Sequence, residues 1–194
     1  MATHQSNLEM EGNITEFATD VAVRYYVGQG VRPHKILIGV PLYGRAFEDT
    51  AGLGQPFSGV GAGGPNPAGV KQQEGVWWYN TLPRAGAEEL WDDTARASYS
   101  YDAGTREFIT YDNVQSAVNK GHYVIGRGLG GAFYWEARGD RAGEQSLVSV
   151  MGATMGHLDS SENNLDYPTS RYENIRSGMP WLEARDKTDT ETSP

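Results

Sequence analysis

The stretch Lys35–Phe47, KILIGVPLYGRAF, constrains the fold most strongly. Its first part is a continuous apolar run, with β-branched residues at Ile36, Ile38 and Val40. Strict polar–apolar alternation is absent. The run therefore predicts a strand covered on both faces, as in a parallel sheet, rather than one with a wet face. A helical segment precedes it. Thr19 and Asp20 offer an N-cap and an acidic first turn. Val23, Tyr26 and Val27 recur at helical spacing, Gly30 closes the segment, and Pro33 opens the connection. The strand then runs into a phenol at Tyr43 and a fixed cation at Arg45, which an ordinary buried strand end does not need.

A second unit of the same kind follows later. Asp112 with Gln115 three residues on forms a capping-box pattern, and Val114, Ala117, Val118 and Ile125 supply an apolar helix face. Gly126 and Gly128 end that helix, and LGGAFYWE, residues 129–136, reads as the next strand. A last helix is expected near Glu144–Met155, with Leu147, Val148, Met151 and Met155 on one side. Between the two units lies a glycine-rich loop over 48–75. Short aromatic and β-branched strands, GVWWYNTL, ASYSYD and FITYD, come next, with a hairpin turn at Asp102–Gly104. Residues 1–18 read as irregular, and the polar tail 181–194 reads as disordered. The expected organisation is a first α/β segment over 1–47, an insertion over 48–112, a second α/β segment over 113–158, and an extension with a tail over 159–194.

In barrels of parallel strands, function gathers at the C-terminal strand ends. One end here carries Tyr43 and Arg45, the other Tyr134, Trp135 and Glu136. A Trp face can carry the C–H face of a pyranose, Arg offers a fork of donors, and Tyr joins a ring to a hydroxyl. That set suits a neutral carbohydrate better than a phosphate or a nucleobase. Each residue also has a plain structural alternative: Trp135 as core, Arg45 as an ion-pair member, Tyr43 as packing, and Glu136 as a partner for Arg138. A net charge of −9 without a Lys/Arg cluster argues against nucleic acid and anionic membrane as partners. With no cysteine and four scattered histidines, neither a metal site nor a disulfide is expected. No nucleotide-binding glycine motif stands between a strand and a helix, so no cofactor is expected. No apolar run has the length of a bilayer span, and the first residues do not form a secretory signal. Asn13-Ile14-Thr15 is a glycosylation acceptor pattern that matters only in an exported protein.

Taken in order, GVPLYGRAF, FITYD and GLGGAFYWE resemble the C-terminal portion of glycoside hydrolase family 18 chitinases, the fungal class V type in particular. LDYPTSRYENIRSGMP resembles the tail extension of that group, and HQSNL with the following helix resembles the stretch after the sixth barrel strand. The resemblance covers about residues 4 to 180. It implies an α/β fold, the C-terminal part of a (β/α)8 TIM barrel. Lys35–Pro41 would be strand seven and Leu129–Trp135 strand eight, with an α+β insertion domain between them. It also implies chitin or chito-oligosaccharides as the ligand, held by Tyr43, Arg45 and Trp135, with Tyr134 and Glu136 as flanking candidates. Trp135 would stack under a sugar ring. Ala-Phe-Tyr-Trp stands where relatives often carry Gly-Met-Trp-Trp or Ala-Met-Phe-Trp, and the stacking Trp is retained.

The family hydrolyses β-1,4-linked N-acetylglucosamine with the substrate's own acetamide as nucleophile and a Glu as acid. That Glu belongs to a DxxDxDxE run on the fourth strand, and a Tyr-Asp pair after the sixth orients the acetamide. The chain has no DxxDxDxE run. Its acidic cluster Glu88, Glu89, Asp92 and Asp93 has the wrong spacing, and Tyr101-Asp102 and Tyr111-Asp112 fall in the insertion. The expectation is that about six barrel strands are not encoded in these residues. The chain would then be the back of a hydrolase, a binding module without catalysis, or a non-functional remnant, with the N-terminal part of the barrel as a potential partner. A full-length relative would be extracellular; the location of this chain is left open.

Overall fold

Helix α1 (Thr19–Gly28) leads through a 3₁₀ turn to strand β1 (Leu37–Pro41), and β1 pairs in parallel with β7 (Gly131–Trp135). Helix α2 (Val114–Arg127) precedes β7, and α3 (Leu147–Met155) follows it. The computed structural model describes residues 1–10, 12, 14, 15, 17–65, 73–161 and 166–176. Asn13 of the acceptor pattern and the tail 181–194 lie outside them. The chain divides into two units, Met1–Leu158 and Asp159–Pro194. Within the second, α4 (Glu173–Arg176) is a single turn in which Arg176 pairs with Glu173.

The parallel pair is covered on one face. Ile38 and Val40 are buried, and Ala132 and Tyr134 pack on the same core as α2 and α3. Leu37 and Phe133 point the other way and are 52% and 53% exposed. The expectation of a strand buried on both faces is therefore corrected. No third strand flanks β1 or β7 among the described residues, and Leu37 of the apolar run is left exposed.

The chain leaves this pair at Leu42, which is fully buried. Its N–H donates to the Trp135 carbonyl at 2.8 Å, and its carbonyl accepts from Tyr79 N–H at 3.0 Å. Gly139 packs against that carbonyl so closely that a Cβ would collide with it. Beyond this pivot, β2 (Tyr43–Phe47) joins a second, antiparallel sheet with β3 (Val76–Trp78), β4 (Glu88–Asp92), β5 (Ala97–Asp102) and β6 (Glu107–Thr110). The order is β3-β2-β6-β5-β4. The turn expected at Asp102–Gly104 links β5 to β6, and the Asp102 carboxylate accepts from the N–H groups of Gly104 and Thr105 at 2.8 and 3.2 Å. Those N–H groups, Thr105's first, hold the Asp102 carboxyl below its ordinary pKa.

The irregular first residues are tied down. Ala2 exchanges backbone hydrogen bonds with the Gly54–Gln55 turn, Leu8 N–H donates to the Ala95 carbonyl, and Gln5 N–H donates to Thr110 Oγ1. His4 is buried against the Tyr99 and Phe108 rings, with Nε2 3.1 Å from Asp92 Oδ2.

Helix ends differ from the expected caps. Ala18 is the N-cap of α1, without a side-chain bond; Thr19 is the first helical residue, its hydroxyl donates to the Asn7 carbonyl at 3.0 Å, and Asp20 is the acidic residue of the first turn. Its carboxylate meets Arg24 and Arg127 at 2.7 and 2.6 Å and accepts from Tyr123 at 2.9 Å. Asn113, not Asp112, caps α2 by accepting from Ser116 N–H at 3.0 Å. Asp112 instead pairs with Lys120 Nζ at 2.5 Å, both side chains being essentially buried. Ile125 is 53% exposed, and the buried face of α2 runs through Ala117, Gly121 and Val124. At Gly121 the missing Cβ gives Thr154 of α3 its place. Ser146 caps α3, which starts at Leu147 after a 3₁₀ turn at Gly143–Gln145.

Burial is the leading cause that lowers the pKa of His4. Its hydrogen bond to Asp92 and the charges of Asp92 and Asp112 act in the opposite direction. The unfolded chain therefore takes up a proton at a pH where the folded one does not, and stability rises with pH across that range. This contribution is fully present above the ordinary imidazole pKa of 6.5 and is lost as the pH falls below it. A His4→Gln variant is expected to show a smaller drop in Tm between about pH 7.5 and about pH 5.5 than the parent. Equal drops in the two proteins would remove His4 as the cause.

Candidate functional site

At the C-terminal ends of β1 and β7 lies a cavity of about 310 Å³, lined among others by Gln5, Ser6, Thr19, Pro41, Tyr43 and Trp135. Two of the residues singled out in the sequence, Tyr43 and Trp135, meet here from the two strand ends. Register explains why: Pro41 pairs with Trp135, and Tyr43 stands two residues beyond Pro41. Trp135 is 66% exposed, so it is not a core residue. Glu136 follows it through a cis peptide bond and forms no ion pair with Arg138; the Arg138 guanidinium instead lies 5.1 Å from the Trp78 ring centre. Tyr134 faces away from the cavity. It is half-buried on the helix side of the strand, where burial raises its pKa.

Arg45 lines a neighbouring cavity of about 360 Å³, with Phe47, Glu74 and Gln5. Gln5 therefore stands in the wall of both spaces. The Arg45 guanidinium lies 5.5 Å from the Tyr43 ring centre, and no carboxylate is within ion-pair distance of it among the described residues. Tyr43 is held through its backbone, because Gln5 Nε2 donates to its carbonyl at 2.8 Å and to that of Thr110 at 3.3 Å.

Gln5 and Ser6 line the cavity and escape the sequence reading, and Trp78 adjoins Tyr43 without entering the lining. Trp78 is the cross-strand partner of Tyr43. The signal was there: consecutive strand residues point to opposite faces. In WW, Trp77 therefore packs toward the core under Arg84, and Trp78 stays on the Tyr43 side. Gln5 and Ser6 carry no such mark, since nothing local shows that an irregular start crosses a strand end. Chemically this cavity offers two large exposed rings, Trp135 and Phe133, a phenol, and the polar groups of Gln5, Ser6 and Thr19. Its lining contains no carboxylate, thiol or imidazole. Among the described residues no group of three or more His, Asp or Glu could hold a metal ion, and no helix is long and apolar enough to cross a membrane.

The sequence profile of glycosyl hydrolases family 18 matches residues 1–140. The chain belongs to that family. It is 42% identical over 167 residues to Chitinase 1 of Aphanocladium album, an alignment covering 86% of this chain and 38% of that protein. It is 42% identical over 181 residues to Endochitinase 1 of Metarhizium robertsii, covering 92% and 41%. The chain thus spans about two fifths of the length of these curated relatives. Among solved structures, human YKL-39, described as a pseudo-chitinase with retained chitooligosaccharide-binding properties, superposes with a TM-score of 0.69. That match has 25% identity and covers 79% of this chain and 45% of the other. The fold is accordingly part of an α/β TIM barrel, with β1 and β7 as strands seven and eight and the antiparallel sheet as the α+β insertion between them.

Proposed function

We propose that this chain supplies one wall of a cleft for β-1,4-linked N-acetylglucosamine chains, with Trp135 as the platform under a sugar ring and Tyr43 and Arg45 beside it. The observation that carries this reading is the cavity in which Tyr43 and Trp135 meet beside three polar side chains at the ends of two parallel strands. The organisation that goes with it is the one expected from the sequence, two barrel segments flanking an insertion. The cavity lining has no carboxylate, and the 194 residues contain no DxxDxDxE run. These residues by themselves therefore bind and do not hydrolyse. In a polypeptide that also carries the acid, the same wall would serve hydrolysis of chitin. The likeness to a pseudo-chitinase that keeps chitooligosaccharide binding supports separating the two functions. The uncovered face bearing Leu37 and Phe133 is where further barrel strands would pack. A non-functional remnant is disfavoured by the N-terminal segment, whose backbone is tied to the insertion at Gln55, Ala95 and Thr110.

The test is calorimetric titration of the full chain with chitotriose, beside an assay with a chromogenic chitobioside. Heat of binding without turnover is the expected pair of results. Turnover by the pure chain would refute the assignment of catalysis to other residues, and absence of binding would refute the cleft.

A further inference from the structure

The cavity at the strand ends has a second side, opposite in character to the tryptophan. Ser6 lines it, and beneath Ser6 lies a charge pair that the binding reading has not used. Lys120 Nζ, on a side chain 1% exposed, donates to Ser6 Oγ at 2.6 Å and to Asp112 Oδ2 at 2.5 Å. Asp112 is 2% exposed. A serine hydroxyl has one proton to give and two lone pairs to receive. Lys120 takes up a lone pair. The proton's protein acceptor is Asp112 Oδ2 at 3.3 Å, long for a hydroxyl–carboxylate bond, which normally closes to about 2.5–2.7 Å. That carboxylate oxygen is already engaged by the ammonium. The Ser6 O–H is thus the loosely held member of a tight trio, at the edge of a cavity.

We propose that Ser6 is a ligand-binding residue that donates its proton to an oxygen of an uncharged sugar, and that Lys120 and Asp112 are positioning residues which hold and polarise it. This rests on the binding reading above and adds a polar contact to it. An ammonium bonded to Oγ draws electron density from the hydroxyl and makes it a better donor, and in a buried setting this effect is little screened. The donor is also fixed in place, because Gln5 next to it is clamped to the Tyr43 and Thr110 carbonyls. A sugar lying on Trp135 would have its ring face on the indole and an edge oxygen toward Ser6. The purely structural alternative is that the trio only ties the first residues to α2. Buried ion pairs are commonly no better for stability than apolar groups of the same size, so stability alone gives weak reason for an ion pair at this point.

Chitotriose titrations separate the two. Ser6→Ala is expected to weaken binding by about 3–10-fold, the range for one lost hydrogen bond. Ser6→Thr, which keeps the hydroxyl, is expected to retain affinity. The double variant Lys120→Met/Asp112→Leu removes the ion pair without leaving a lone buried charge. Its affinity is expected to fall as well, and adding Ser6→Ala to it should have less effect than in the parent, since residues in one network are non-additive. Equal affinity of Ser6→Ala and parent, with Trp135→Ala still losing binding, overturns this inference and leaves the cleft intact. Absence of binding in the parent overturns both. If Ser6→Ala and Ser6→Thr lose affinity together, packing rather than the hydroxyl is responsible, and the inference fails.

Discussion

Truncating Trp135 to alanine is expected to weaken chitotriose binding by at least about 30-fold, since a central tryptophan at a binding site contributes about 2 kcal/mol or more and each 1.4 kcal/mol is tenfold. Stability should hardly change. The side chain is 66% exposed, so little apolar burial is lost with it. This pairing of a large loss in affinity with an unchanged urea midpoint is the mark of a ligand platform. A core residue would give the reverse. Tyr134, next in the strand, has that reverse setting: half-buried and packed with the core of α2 and α3. The alternation of a strand thus sends adjacent aromatics to opposite faces. Calorimetry and urea melts on Trp135→Ala check both halves. A variant that binds like the parent would remove Trp135 from the cleft, and one that melts early would make it a packing residue.

Much of this arrangement is legible in the residues. KILIGVP and LGGAFYWE are apolar over enough positions to be strands, and each is preceded by a helix with recognisable spacing, so the parallel pair follows. The strand ends then mark Tyr43 and Trp135 without knowledge of what surrounds them. Other features depend on distant partners and leave no local trace. The switch of sheets at Leu42 is one, because the pattern from Leu37 to Phe47 does not state which strand will pair with which half. Strand β4, EELWD, is another. It is an edge strand that opens with two exposed glutamates, Glu88 and Glu89, and such a sequence reads as surface loop. Asp112 and Asn113 are both good caps for α2, and only the buried ammonium of Lys120, eight residues on, draws Asp112 away and leaves the cap to Asn113. Glu136 and Arg138 make an obvious pair on paper, yet Arg138 goes to the Trp78 face. Gln5 and Ser6 reach the cleft only because the first residues are fastened across the second sheet.

Lys120→Met is expected to cost about 3–5 kcal/mol of stability, because it leaves the Asp112 carboxylate buried without its counter-charge. A domain of this kind has about 5–15 kcal/mol in all, so the variant should sit far closer to unfolding, with a urea midpoint shifted strongly down. The effect has a definite source. Methionine matches the lysine stem in length and replaces its packing, and what is lost is the ammonium that Asp112 Oδ2 meets at 2.5 Å and Ser6 Oγ at 2.6 Å. Removing the carboxylate as well, in Lys120→Met/Asp112→Leu, should restore most of the loss, since an apolar pair of similar volume replaces a buried ion pair at little net cost. Urea denaturation of the parent, the single and the double variant checks this at one pH. A single variant within about 1 kcal/mol of the parent would mean that the pair is no anchor. The expected order, with the double variant between the single and the parent, would place the cost in the uncompensated Asp112 carboxylate rather than in the loss of the contact between α2 and the first residues, 114 positions apart in the chain. The segment that carries Ser6 also lines the cavity at the strand ends, so the same variants that probe stability here also probe the proposed contact of Ser6 with a sugar.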